Sequence, residues 1–150
     1  MDKMKFDFTA ILVFLAAFAN PQTLTDDCLA CMCYVSSDGC VMPDPICSED
    51  VEHGEICGPF AINRVYWMEA GWIGEEFHTC MEDWQCNEDT VRSYLSKFVL
   101  DANATCEEFS RTHVGGRHGP DMDSTLSYWL DVESCLDNST FPIYPEDYLD

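Results

Sequence analysis

Basic residues are scarce in this chain. Seven Lys and Arg stand against 28 Asp and Glu, for a net charge of −21 at pH 7. A surface so acidic repels nucleic acid and anionic membranes, so neither is expected as a partner. At neutral pH anionic bacterial walls repel it too, and only in an acidic fluid that protonates carboxylates does that repulsion fade. Long apolar runs are also scarce. Phe8 to Phe18 is mostly apolar but too short to span a bilayer, and no later stretch is apolar enough. Internal repeats and signs of a second hydrophobic core are missing, which leaves one domain. Cys28-Leu29-Ala30-Cys31 has the spacing of zinc ligands, but no second pair of that kind follows. No metal and no cofactor is therefore expected.

What is present points to export. Lys3 and Lys5 precede the apolar run, and Ala17-Phe18-Ala19 fits a small-x-small cleavage site. Residues 1–19 read as a secretory signal, with the mature start near Asn20. A buried N-terminal helix is the alternative. Removing 1–19 takes away Lys3, Lys5, Asp2 and Asp7 together, so the charge is unchanged. Ten cysteines, all beyond the signal and even in number, fit a disulfide framework in an oxidising, extracellular setting. The sequons at Asn103-Ala104-Thr105 and Asn138-Ser139-Thr140 fit a secreted surface and make Asn103 and Asn138 candidate glycosylation sites.

The local pattern predicts a mostly helical α+β domain over residues 20–140, with a disulfide-rich N-terminal lobe, and an extended acidic tail over 141–150. Asp26-Asp27 suit the N-terminus of a short helix through Cys33. Ser37-Asp38-Gly39 is turn chemistry. Residues 41–57 read as loops or short strands. A helix is predicted over Gly58 to Ala70, with Pro59 in its first turn and Gly71 ending it. Phe77 to Trp84 predicts another, and Asn87 a cap for the next. There Val91, Tyr94, Leu95, Phe98 and Val99 form an amphipathic stripe. Thr105-Cys106-Glu107-Glu108 has capping-box form and opens a helix that Gly115-Gly116 breaks. Ser124 to Cys135 is predicted helical, with Leu126, Trp129 and Leu130 on one face.

Several separated motifs occur in one order: CLACMCYVSSDGC, CGPFAINRVYWMEAG, FHTCMEDWQC, TVRSYLSKF, CEEFSRTHVGG and TLSYW. Together, over residues 28–135, they resemble the invertebrate-type (i-type) lysozymes, or destabilase family. The Cys-Gly-Pro-Phe-Ala-Ile form is most similar to the insect branch. The resemblance implies a lysozyme-like fold and hydrolysis of β-1,4 bonds in peptidoglycan, with a chitin-like oligosaccharide as a related ligand. Such hydrolysis uses two carboxyl groups in environments that push their pKa values apart.

By resemblance the general acid is a Glu three residues after the third cysteine of the first cluster, and that position here is Ser36. The second carboxylate, three residues after a later cysteine, is Asp50. A serine hydroxyl cannot donate a proton near neutral pH, and losing a general acid costs roughly 10²–10⁴-fold in rate. Asp38 is the first candidate substitute. Glu49, Glu52 and Glu55 read as a solvated rim. The family's isopeptidase activity needs a lysine where this chain has Asn63, so that activity is not expected. His113 matches the family histidine in its His-x-Gly-Gly context, as a site residue or as a structural histidine at a helix end.

The family's cysteines at the positions of Ala70, Thr90 and Pro120 are absent. The resemblance implies the pairs Cys28–Cys106, Cys31–Cys135, Cys33–Cys40, Cys47–Cys57 and Cys80–Cys86. Tyr66 and Trp67 could stack on sugar faces or belong to the core. Three functions are consistent with these residues. One is a lysozyme with residual activity. Another is a non-catalytic glycan-binding relative in immunity or gut fluid. The third is a scaffold that meets a protein partner through its acidic surface.

Overall fold

The computed structural model describes residues 24–138. The expected signal and the acidic tail lie outside the described residues. Six helices and a small sheet follow in the order α1 (Asp26–Ser37), β1 (Cys47–Asp50), β2 (Gly54–Cys57), β3 (Ile62–Asn63), α2 (Arg64–Ala70), α3 (Phe77–Met81), α4 (Trp84–Phe98), α5 (Cys106–Gly115) and α6 (Leu126–Asp137). Two short 3₁₀ segments, Gly116–Asp121 and Asp123–Thr125, join α5 to α6. The strands are antiparallel in the order β1-β2-β3, with Asp50 opposite Gly54 and Cys57 opposite both Cys47 and Ile62. None of the helices described is long and apolar enough to cross a membrane.

Helix α1 runs further than its acidic start suggested. Thr25 caps it by accepting the Cys28 N–H, and it continues to Ser37, where Asp38 turns left-handed at φ 52°. Leu29 and Met32 are fully buried. The added turn places Ser36 on the helix rather than in a loop. Disulfides tie α1 to α5 through Cys28–Cys106 and to α6 through Cys31–Cys135. Three short links, Cys33–Cys40, Cys47–Cys57 and Cys80–Cys86, complete the pairs that the resemblance implies.

The helix expected from Gly58 begins only at Arg64. Gly58 lies at φ +72°, and a Cβ there would fall 2.6 Å from the Asn87 side chain. Ala61 also has positive φ. The chain therefore turns through Gly58 to Ala61, pairs Ile62 and Asn63 with β2, and starts α2 with Asn63 accepting the Tyr66 N–H at 2.8 Å. Trp84 opens α4 instead of ending α3, and the cap of α4 is Asp83, not Asn87. Asn87 is buried one turn inside, where its Nδ2 donates to the Met81 carbonyl at 2.8 Å. It anchors the end of α3.

The stripe on α4 buries Val91, Tyr94 and Leu95, and Thr105 forms the expected capping box on α5. Of the expected face of α6, only Trp129 packs against the core, partly buried. Leu126 and Leu130 are exposed, while Thr125, Val132 and Cys135 face inward. Thr125, Tyr128, Val132 and Cys135 also fall at helical spacing. The Cys31–Cys135 bond and the Tyr128 hydrogen bond to α1 select that face.

Candidate active-site groove

A cavity of about 570 Å³ opens between α1, the β1–β2 hairpin, α2, α5 and the start of α6. Its lining includes Ser36, His53, Tyr66, Tyr94, His113 and Tyr128.

One wall is buried. Tyr66 stacks on Tyr94 with ring centroids 3.6 Å apart, and His113 meets the Tyr66 ring edge-on. The Phe60 carbonyl can only accept, so Nε2 of His113 carries its proton and donates to it at 3.1 Å. Nδ1 then accepts from the Tyr66 hydroxyl at 3.0 Å. Burial pushes the His113 pKa down to about 4, with the Phe60 bond opposing, so the ring is neutral near pH 7. Burial likewise raises the Tyr66 phenol well above its ordinary value. Both imidazole nitrogens are thus committed to the scaffold. His113 lines the cavity and ties α5 to the turn before β3.

Ser36 lies on the last turn of α1, half-buried. Tyr128 donates to the Met32 carbonyl at 3.0 Å, which uses its only proton. The Ser36 hydroxyl, 2.9 Å from the Tyr128 oxygen, is therefore the donor in that pair. Where the resemblance puts a protonated carboxyl, the cavity has a hydroxyl whose proton points at a phenol.

Asp50 ends β1. Its Oδ1 accepts from the backbone N–H groups of Glu52 (2.9 Å) and His53 (2.8 Å) and lies 2.8 Å from Nδ1 of His53. Those backbone donors, His53 first, hold the carboxyl below its usual range, so it is ionised. Asp50 itself does not line the cavity, whereas His53 does. Asn63, at the family's lysine position, lines the cavity and caps α2.

Asp38 faces a separate cavity of about 300 Å³ that it shares with Asp131. It is not among the residues that line the main cavity with Ser36. Glu49, Glu52 and Glu55 are exposed. Glu69 is the carboxylate that lines the main cavity. Trp67 belongs to the core: it is 3% exposed, donates to the Ile73 carbonyl at 2.7 Å, and packs on Trp72 and Phe77. Asn103 and Asn138 are both exposed. All ten cysteine sulfurs are in disulfides, so Cys28 and Cys31 offer no thiolate to a metal.

His53, Tyr94 and Tyr128 were missed as cavity residues by sequence reasoning. Tyr94 was visible only as part of an apolar stripe, and Tyr128 only as part of a motif. The position of His53, three residues after Asp50, was the one usable signal.

The Destabilase family model matches residues 25–135. A lysozyme of Ostrea edulis is 33% identical over 132 residues, covering 85% of this chain and 94% of its own. A lysozyme of Magallana gigas is 38% identical over 122 residues, covering 78% and 85%. Among solved structures, the crystal structure of Tapes japonica lysozyme aligns with a TM-score of 0.64 at 34% identity, over 73% of this chain and 88% of that one. Matched in sequence over residues 25–135 and in fold over 73% of its length, the chain belongs to the Destabilase family, that of the invertebrate-type lysozymes.

Proposed function

We propose that this is a secreted lysozyme homologue whose groove takes a β-1,4-linked amino-sugar chain, and whose power to hydrolyse it is lost or much reduced. The observation that carries this reading is the Ser36 hydroxyl donating to Tyr128 in an open cavity. Hydrolysis with retention uses two carboxyl groups about 5–5.5 Å apart, one protonated and one ionised. Asp50 supplies an ionised group, and nothing lining the cavity supplies a buried protonated carboxyl. His113 is a poor substitute donor, because it is neutral and its one N–H is bonded to Phe60. The open surface of the groove is more apolar than polar, which suits the apolar faces of sugars, although Tyr66 and Tyr94 are stacked on each other in its wall.

The test is hydrolysis of peptidoglycan and a chitin oligomer, from acidic to neutral pH, by the oxidised protein and its Ser36→Glu variant. The variant is expected to gain roughly 10²–10⁴-fold, the usual contribution of a general acid. Binding of a chitin tetramer to the unmodified protein, by calorimetry, is expected without turnover. Hydrolysis by the unmodified protein as fast as by Ser36→Glu would overturn the loss of activity. Failure to bind the tetramer would overturn the groove.

A further inference from the structure

Cations are so few here that their placement carries information. Five are described. Arg92 pairs with Asp26 and Glu88, and Arg111 with Glu107. Arg64 lies over the Phe77 ring. Among the described residues Arg64, Lys97 and Arg117 have no carboxylate partner, although acids outnumber bases fourfold in the chain. Lys97 and Arg117 differ from Arg64 in sharing a ring: the Lys97 ammonium is 5.0 Å and the Arg117 guanidinium 5.4 Å from the centroid of Phe98.

That ring adjoins the groove. Phe98 packs on Tyr94 at 4.7 Å, and Tyr94 lines the cavity. Arg117 follows Gly116, another lining residue. Lys97 donates to the backbone carbonyl of Glu69 at 2.8 Å, which fixes its head beside α2. The Glu69 side chain lines the same cavity, yet among the described residues it forms no ion pair with either cation. The charges of Glu69 and Arg117 act in opposite directions on the Tyr94 phenol, so both reach this part of the wall.

Resting on the glycan-binding reading above, we infer that Lys97 and Arg117, held on Phe98, form a subsite at the groove edge for a carboxylate carried by the glycan. The protein then discriminates an acidic, peptide-bearing glycan from a neutral chitin-like one. Two cations with free N–H donors make charge-assisted hydrogen bonds to a carboxylate, and the ring beneath limits the side-chain freedom lost on binding. The rest of the surface repels an acidic ligand, so this edge also sets its orientation.

The experiment measures binding by calorimetry at low salt of three probes: a chitin tetramer, a peptidoglycan disaccharide-peptide with free carboxylates, and the same fragment with its carboxylates amidated. The protein is compared with its Lys97→Gln, Arg117→Gln double variant and with the charge-keeping exchange Lys97→Arg, Arg117→Lys. Loss of two charge-assisted contacts is expected to weaken the free-carboxylate fragment about tenfold or more. The tetramer and the amidated fragment are expected to bind unchanged, and the exchange variant to bind the acidic fragment well. The tenfold difference is expected to shrink as salt rises. Equal binding of the acidic fragment by protein and double variant overturns the subsite. So does a loss shared by all three probes, which would mark the pair as structural. If the unmodified protein binds no probe at all, the glycan reading itself fails, and the subsite with it.

Discussion

The wall of Tyr66, Tyr94 and His113 and the β1–β2 hairpin border one cavity but are built differently. In the wall, Tyr66 and His113 are each under 10% exposed, and their polar atoms bond to each other and to the Phe60 carbonyl. In the hairpin, Asp50 and His53 have side chains 38% and 52% exposed, and the bonds of those side chains stay within the turn. The wall is at once the shape of the groove and part of the hydrophobic core. The hairpin, like Ser36 at the end of α1, carries groups that the core does not need. Residues at the rim are thus separable from the fold, so position 36 can carry a serine while the cavity stays open.

The sharpest way to break this contrast is Tyr66→Ala. Truncating a buried aromatic costs about 3–5 kcal/mol, and this one also leaves Nδ1 of His113 unpaired. Urea unfolding is expected to show a loss of that size, and a loss under about 1 kcal/mol would mean that the wall is not core.

Acid offers a second probe of the same wall. The folded-state pKa of His113, about 4, lies below its unfolded value near 6.5. Above pH 6.5 both states are neutral, and the group has no effect on stability. As pH falls from 6.5 to 4 the unfolded chain takes up a proton that the folded protein refuses, so stability falls, by roughly 3 kcal/mol in all. His113→Gln can keep both hydrogen bonds without titrating. The variant is expected to lose less stability than the unmodified protein across that window. Parallel pH profiles for the two would remove His113 as the cause.

On the hairpin the smallest effect is expected. Asp50→Ala removes a carboxylate whose partners are its own turn, and the thermal midpoint at pH 7 should not move. Its consequence belongs to chemistry: in the Ser36→Glu background, Asp50→Ala is expected to abolish the hydrolysis gained. A large drop in midpoint would erase the distinction between hairpin and wall.

Features that depend on near neighbours were legible before the fold. The Thr105 capping box, the Gly71 stop and the α4 stripe are local, because capping and helical periodicity act over three or four residues. The sulfur pairs and the positions of Ser36 and Asp50 came with the family resemblance and needed no contact to be known in advance. Where two local rules competed, tertiary packing chose between them. Gly58 and Ala61 turn the chain because a strand must pair with β2 and the Asn87 side chain fills the space beside Gly58. Helix α6 shows Leu126 and Leu130 to solvent because Cys135 must meet Cys31.

The amino-acid sequence by itself determined an acidic, disulfide-framed, mostly helical lysozyme-type domain that lacks the expected Glu at position 36. The acidity, the sulfur framework and the helices reside in composition and short spacing, and the lysozyme type and the missing Glu come with the resemblance of its motifs. Only the tertiary structure decided that Ser36 gives its proton to Tyr128, that Tyr128 reaches Met32 across 96 residues, and that His113 is locked between Tyr66 and Phe60. It also set Trp67 in the core and gathered Lys97 and Arg117 on one ring beside the groove. Such contacts join residues that no local rule relates. They exist because the disulfides and the buried wall bring distant segments within hydrogen-bond reach.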